Sequence, residues 1–146
     1  MGPTQPAAGY STRSLAAKLG LRPGARAWLI NAPPGYRDLL APLPPGVQFV
    51  EAAAPGLDFI QCFSRERIDL ESRFPGFMAA LAPAGALWIS WPKRAARTPT
   101  DLDENVIREI GLRCGLVDVK VAAVDAVWSG LKFVYRLRDR PPGGES

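Results

Sequence analysis

Apolar residues fall in two spacings along this chain: short runs that are continuous or alternate with polar residues, and stretches spaced by three or four. The runs read as strands and the spaced stretches as helices. Leu15 and Leu19 lie four apart behind a possible cap at Ser11 or Thr12, and Gly20 stops that short helix. Leu21-Arg22-Pro23-Gly24 turns the chain into a first strand over 25–30, which Asn31-Ala32-Pro33-Pro34-Gly35 ends before a brief helix from Tyr36 to Leu40. Pro44-Pro45-Gly46 introduces a second strand over 47–51, and Pro55-Gly56 a third over 57–63. From Arg65 to Leu81 the positions Ile68, Phe74, Phe77, Met78 and Leu81 predict a helix that Pro75-Gly76 kinks or splits. A turn at Ala82-Pro83-Ala84-Gly85 leads to a fourth strand over 86–91.

The last third is the most regular. Asp101 and Glu104 have capping-box spacing ahead of Val106, Ile107, Ile110 and Cys114, which share a helical face, and Gly115 closes that helix. A fifth strand follows over 116–124, then a turn at Trp128-Ser129-Gly130 and a sixth, antiparallel strand over 131–137. Alternating strands and helices predict an α/β fold: an open, mostly parallel sheet of about six strands, helices on both faces, and a C-terminal antiparallel hairpin. One domain is expected over 10–138, between small, proline-containing mobile ends at 1–9 and 139–146. In such sheets ligands bind beyond the C-terminal strand ends, which directs attention to loops 31–36, 51–56, 63–66 and 91–101.

Composition narrows the chemistry. The 146 residues contain no histidine, which removes histidine-based triads, histidine zinc sites and the commonest general base. Two cysteines, Cys62 and Cys114, cannot build a structural zinc site; both sit among apolar neighbours and read as buried free thiols, so no metal is expected. No run approaches the about 18 to 20 apolar residues of a membrane span, and no charged-then-apolar leader opens the chain, which reads as cytoplasmic. A formal charge of +4 suits an anionic or nucleotide-like small molecule, nucleic acid, or simply a soluble domain.

Gly20-Leu21-Arg22-Pro23-Gly24-Ala25-Arg26 before an apolar strand is similar to the entry into the first strand of class I methyltransferases. Leu81-Ala82-Pro83-Ala84-Gly85-Ala86-Leu87-Trp88-Ile89 resembles their turn before a late central strand, and the closing hairpin agrees. The set Gly9-Tyr10-Ser11, Asn31 to Tyr36, Ser90-Trp91-Pro92-Lys93, Thr100-Asp101-Leu102 and Gly115 to Phe133 also resembles a family of small bacterial proteins classed as a domain of unknown function. The methyltransferase likeness implies a Rossmann-like fold and a glycine-rich loop for S-adenosylmethionine. Here Asn31 replaces the first glycine, and Pro33 and Pro34 lack amide hydrogens, which counts against that cofactor and against ordinary methyl transfer. Glu51 falls where an acid would bind ribose hydroxyls, or is a solvated loop acid.

The candidate ligand-binding residues are Asn31, Tyr36, Glu51, Trp91, Lys93, Arg97, Asp125, Trp128 and Lys132. Tyr36, Trp91 and Trp128 could stack a planar group or pack as core rim. Lys93, Arg94 and Arg97 follow a strand and precede a helix N-terminus, which suits phosphate or carboxylate, or else form a solvated basic loop. Asp125 orients Lys93 or Lys132, or is a turn acid; Lys132 reaches the same region or points to solvent. Arg136, Arg138 and Arg140 alternate on a terminal strand, touching nucleic acid or guarding a sheet edge. Three functions follow: a non-catalytic ligand-binding domain on a methyltransferase-like scaffold, a divergent S-adenosylmethionine-dependent methyltransferase, and a nucleic-acid or protein adaptor.

Overall fold

The structure is a computed structural model that describes residues 13–137. Its elements are α1 (Leu15–Leu19), β1 (Arg26–Ile30), α2 (Tyr36–Leu40), β2 (Gln48–Val50), β3 (Leu57–Phe63), α3 (Arg67–Ala80), β4 (Leu81–Pro92), a 3-10 turn (Arg94–Ala96), α4 (Glu104–Arg113), β5 (Leu116–Ala123) and β6 (Trp128–Tyr135). The strands form one sheet in the order β2-β1-β3-β4-β6-β5. The first four run parallel, and β6 is antiparallel to both β4 and β5. This is the mostly parallel sheet with a closing hairpin that the alternation predicts.

The period of two explains how three layers pack. In β4, Leu87, Ile89 and Trp91 face α3 and α4, meeting Leu70, Phe74, Phe77, Ile107 and Ile110 in one core. Their neighbour Trp88 faces the other way, into a second core with Leu19, Tyr36, Leu40, Phe59, Phe63 and Trp128. The central strand β3 is buried on both faces except at Asp58, as expected for a parallel strand covered by helices on both sides.

Several boundaries differ from the sequence expectation for local physical reasons. The cap of α1 is Ser14, whose hydroxyl accepts from the Ala17 N–H at 3.1 Å; Ser11 and Thr12 lie outside the described residues. The cap of α4 is Asp103, which accepts from the Val106 N–H at 2.8 Å. Asp101 instead accepts from the Arg67 N–H at 2.7 Å, so it closes the start of α3 and ties the 97–103 loop to the end of β3. The helix α3 runs through Pro75 as one element, and its buried face is Leu70, Phe74 and Phe77. Ile68 lies nearly opposite that face and stands 77% exposed.

The hairpin turn falls at Val124 to Val127, earlier than expected, because the Asp125 carboxylate accepts from both the Val127 and Trp128 N–H groups at 2.8 Å. Ser129 and Gly130 therefore belong to β6. That strand lies inside the sheet and β5 is the edge, so Arg136 does not guard an edge through β6; Arg138 and Arg140 lie outside the described residues. Cys62 is buried, but Cys114 is exposed, since it caps α4 beyond its apolar face. The expected mobile ends, 1–9 and 139–146, also lie outside the described residues. Among the described residues no helix is long and apolar enough to cross a membrane.

Candidate functional site

After β1 the chain turns toward β2, and after β3 it turns toward β4 on the opposite side. The adjacent C-terminal ends of β1 and β3 therefore form the point where the winding reverses, and the two departing loops leave a crevice there. A cleft of about 450 Å³ occupies it, lined by Asn31 to Pro34 on one side and by Phe63 to Glu66 with Asp69 on the other, with Trp128 at its edge. The two prolines form a wall of this cleft and leave it open.

Asn31 begins that wall in the left-handed conformation, at φ 60°. Asparagine tolerates this region better than other side-chain-bearing residues, so it performs the turn that the resemblance assigns to a glycine. The loop ends at Gly35, also left-handed at φ 79°, and there α2 begins. Tyr36 anchors the loop from below. Its hydroxyl donates to Gln61 Oε1 at 2.7 Å, and Gln61 Nε2 donates to Ser90 Oγ at 3.1 Å. All three side chains are buried, so the chain of hydrogen bonds satisfies polar groups that would otherwise be costly in the core. Burial pushes the Tyr36 phenol well above its ordinary pKa, keeping it a neutral donor.

The aromatic rings of the upper layer interlock edge to face, Tyr36 on Phe63 at 4.9 Å and Phe63 on Trp128 at 5.1 Å. The Arg65 guanidinium stands 5.9 Å from the Trp128 ring. Ser64 is pinned by its N–H to the Ser90 carbonyl at 2.9 Å, which fixes the exit of β3. Asp69 is held by Arg73 at 3.1 Å. Arg65 and Glu66 are exposed, and among the described residues neither side chain is held in an ion pair or hydrogen bond.

The expected residues scatter around this geometry. Asn31 and Trp128 line the cleft. Tyr36 sits beneath its loop, and Asp125 holds the backbone of Trp128. Trp91 does not join Tyr36 and Trp128: it packs on the opposite face of the sheet, in the core with α3 and α4. Glu51 follows β2 and pairs with Arg37 at 3.0 Å on the surface, both side chains more than half exposed. Lys93 gives its N–H to the Val127 carbonyl, and Arg97 ends the 3-10 turn at φ 57°. The helix N-terminus that would complete their anion site is already closed by Asp103, with Glu104 in the first turn. Lys132 sits in mid-strand, paired with Trp88, and its side chain reaches a cavity at the other end of the sheet.

Sequence reasoning passed over Ser64, Arg65, Glu66 and Asp69 as individual residues. The signal was positional: loop 63–66 leaves a buried parallel strand on the ligand side.

No family model matches the chain, and no curated protein matches it. Solved structures do. A SAM-dependent methyltransferase from Thiobacillus denitrificans in complex with S-adenosyl-L-homocysteine has a TM-score of 0.57 at 11% identity, covering 87% of this chain and 92% of that one. Magnesium protoporphyrin IX methyltransferase from Synechocystis with bound SAM gives 0.54 at 11% identity over 84% of this chain and 74% of its own. LepI in complex with SAM gives 0.53 at 15% identity over 84% of this chain, which spans 39% of that protein. The likeness to the small bacterial family rests on motifs alone. At these identities the comparison establishes the architecture: the chain has a methyltransferase-like α/β fold.

Proposed function

We propose that this chain is a diverged S-adenosylmethionine-dependent methyltransferase whose cofactor site is the cleft between β1 and β3. The observation that carries this reading is the open space of about 450 Å³ at the winding reversal, where two prolines could have filled it. Similar folds with bound SAM or S-adenosylhomocysteine support the same ligand class.

The residues fit the group in a rearranged way. Pro33 and Pro34 offer no N–H, so the loop after β1 supplies fewer backbone donors than a glycine loop. The cofactor's amino-acid end carries one carboxylate and one ammonium, and Arg65 and Glu66 bring one guanidinium and one carboxylate to the facing wall. The two could hold that end in place of the missing amides. Asn31 offers its side-chain amide, and the edges of Phe63 and Trp128 give the site an apolar flank. When bound, the cofactor supplies a methyl group made electrophilic by a sulfonium. Loops 31–34 and 63–66 would orient it and exclude water from its two sides.

Calorimetry with S-adenosylmethionine and S-adenosylhomocysteine tests this. Binding is expected, and Arg65→Ala and Glu66→Gln should each weaken it at least about tenfold, or about 1.4 kcal/mol. Glu51→Gln should stay within about twofold, because Glu51 does not line the cleft and, among the described residues, meets only Arg37 on the surface. Absence of heat for either ligand at millimolar concentration would overturn the reading.

The Pro33-Pro34 wall, which withholds backbone donors from the cleft, favours a second reading, a ligand-binding domain that transfers nothing. Methyl-labelled S-adenosylmethionine incubated with the protein and a cell extract separates the two. Label appearing on an extract component supports transfer; binding without label supports the second reading.

A further inference from the structure

A second cavity, of about 460 Å³, opens at the opposite end of the sheet, under the N-terminal ends of β1, β3 and β4. Gly20, Arg22, Asp58, Gly85 and Lys132 are among its lining residues. Asp58 is the one carboxylate there, and its Oδ2 accepts the Arg26 N–H at 3.0 Å. Lys132 reaches the cavity from β6, an inner strand, with its Nζ close to the turn at Gly20.

The charge around Lys132 is unbalanced. Lys120 stands directly opposite it on β5, and a like-charge cross-strand pair is unfavourable. Lys120 donates to the Lys18 carbonyl at 2.9 Å, which holds its ammonium beside this end of the sheet. Burial, reinforced by the charges of Lys120 and Arg22, pushes the Lys132 ammonium below its ordinary pKa. Among the described residues Lys132 makes no ion pair and donates no hydrogen bond. A half-buried ammonium facing two like charges, and held in no ion pair among the described residues, is stabilised by an anion placed in the cavity.

We infer that the cavity formed by Lys132, Arg22 and the Gly20 turn, with Lys120 behind it, is a binding site for a small polyanion bearing phosphate or carboxylate groups. The site is separate from the cleft between β1 and β3 and does not depend on what that cleft binds. Gly20 leaves room for the Lys132 ammonium at the cavity, since a Cβ there would stand 3.3 Å from Nζ, whereas Gly85 packs on the Leu57 carbonyl, 2.8 Å from where its Cβ would be. Arg22 is exposed at the rim, where a guanidinium can fork onto an entering anion.

The test compares thermal unfolding of the full chain with pyrophosphate, with citrate, and with sodium chloride at matched ionic strength. Pyrophosphate or citrate should raise the midpoint of the native protein more than sodium chloride does, and the more effective of the two identifies the preferred group. Lys132→Met should fold with an unchanged or higher midpoint in the absence of anion, because the like-charge pair is gone, and should lose most of the anion response. Arg22→Ser, at an exposed position, should weaken pyrophosphate binding in calorimetry by about threefold or more. Arg65→Ala, in the other cleft, should retain the full response. The inference is overturned if neither anion exceeds sodium chloride, if Lys132→Met responds like the native protein, or if Arg65→Ala abolishes the response.

Discussion

Replacing Gly111 with alanine is expected to lower the stability of this protein by about 3 kcal/mol, although the same change in an exposed helix raises it by about 1 kcal/mol. Gly111 lies on the buried face of α4, directly above the ring of Phe133 on β6. A Cβ there would stand 2.1 Å from one ring carbon and within 2.6 Å of two others. The ring cannot retreat easily, because it is fully buried and packs edge to face with Phe74 at 6.3 Å. The helix must lift or the ring must leave its rotamer, and either opens the core beneath α3 and α4. Urea denaturation of Gly111→Ala measures the cost. Adding Phe133→Leu should recover part of it, giving a non-additive double variant. A midpoint at or above that of the native protein would mean that α4 does not rest on Phe133.

On the other face of the sheet, Trp88→Ala should cost about 3 to 5 kcal/mol. Trp88 is fully buried in β4, and its indole N–H donates to the Leu19 carbonyl at 2.8 Å, linking the end of α1 to the centre of the sheet. Its ring lies against Gly130 of β6, where a Cβ would come within 3.0 Å. Truncation leaves a cavity and also an unpaired buried carbonyl, two penalties with a common origin. Trp88→Phe keeps most of the volume and should cost about 1 to 2 kcal/mol, mainly for the lost hydrogen bond. Chemical denaturation of the two variants separates packing from the hydrogen bond. A Trp88→Phe variant as stable as the native protein would indicate that the indole N–H contributes nothing.

These two positions illustrate which parts of the molecule were legible in the sequence. The alternation in Leu87 to Trp91 and the continuous apolar run of β3 are local properties of the chain, so the strands and the three-layer architecture follow from them directly. Within β4 the same alternation already separates Trp88 from Trp91. Whether either faces Trp128 depends on the pairing of β4 with β6, which no local pattern encodes. The phenylalanine beneath Gly111 is hidden for the same reason: the glycine looks like a weak helix residue until a ring from a strand two elements later fills the space.

The candidate site was legible in outline. Loops 31–36 and 63–66 follow from the rule that ligands bind beyond parallel strand ends, and they do border the cleft. The partners of individual side chains did not follow. Glu51 has a suitable place in the order of elements, but Arg37 on α2 takes its carboxylate. Asp101 has capping-box spacing with Glu104, but its carboxylate closes the start of α3 and the cap of α4 falls to Asp103. Gln61, within an apolar strand, gives no sign from sequence that Tyr36 and Ser90 will meet it. Lys132 moves from beside the turn to mid-strand once the turn falls at Val124 to Val127, and its side chain then reaches the cavity at the far end.

The most direct test of the site is a map of amide and indole NMR shifts during titration with S-adenosylhomocysteine. The account predicts saturable changes concentrated at Asn31, Ala32, Ser64, Arg65, Glu66 and the Trp128 indole, with Gly20, Gly85 and Lys132 unaffected. Changes confined to the opposite end of the sheet, or no saturable change at millimolar ligand, would contradict it.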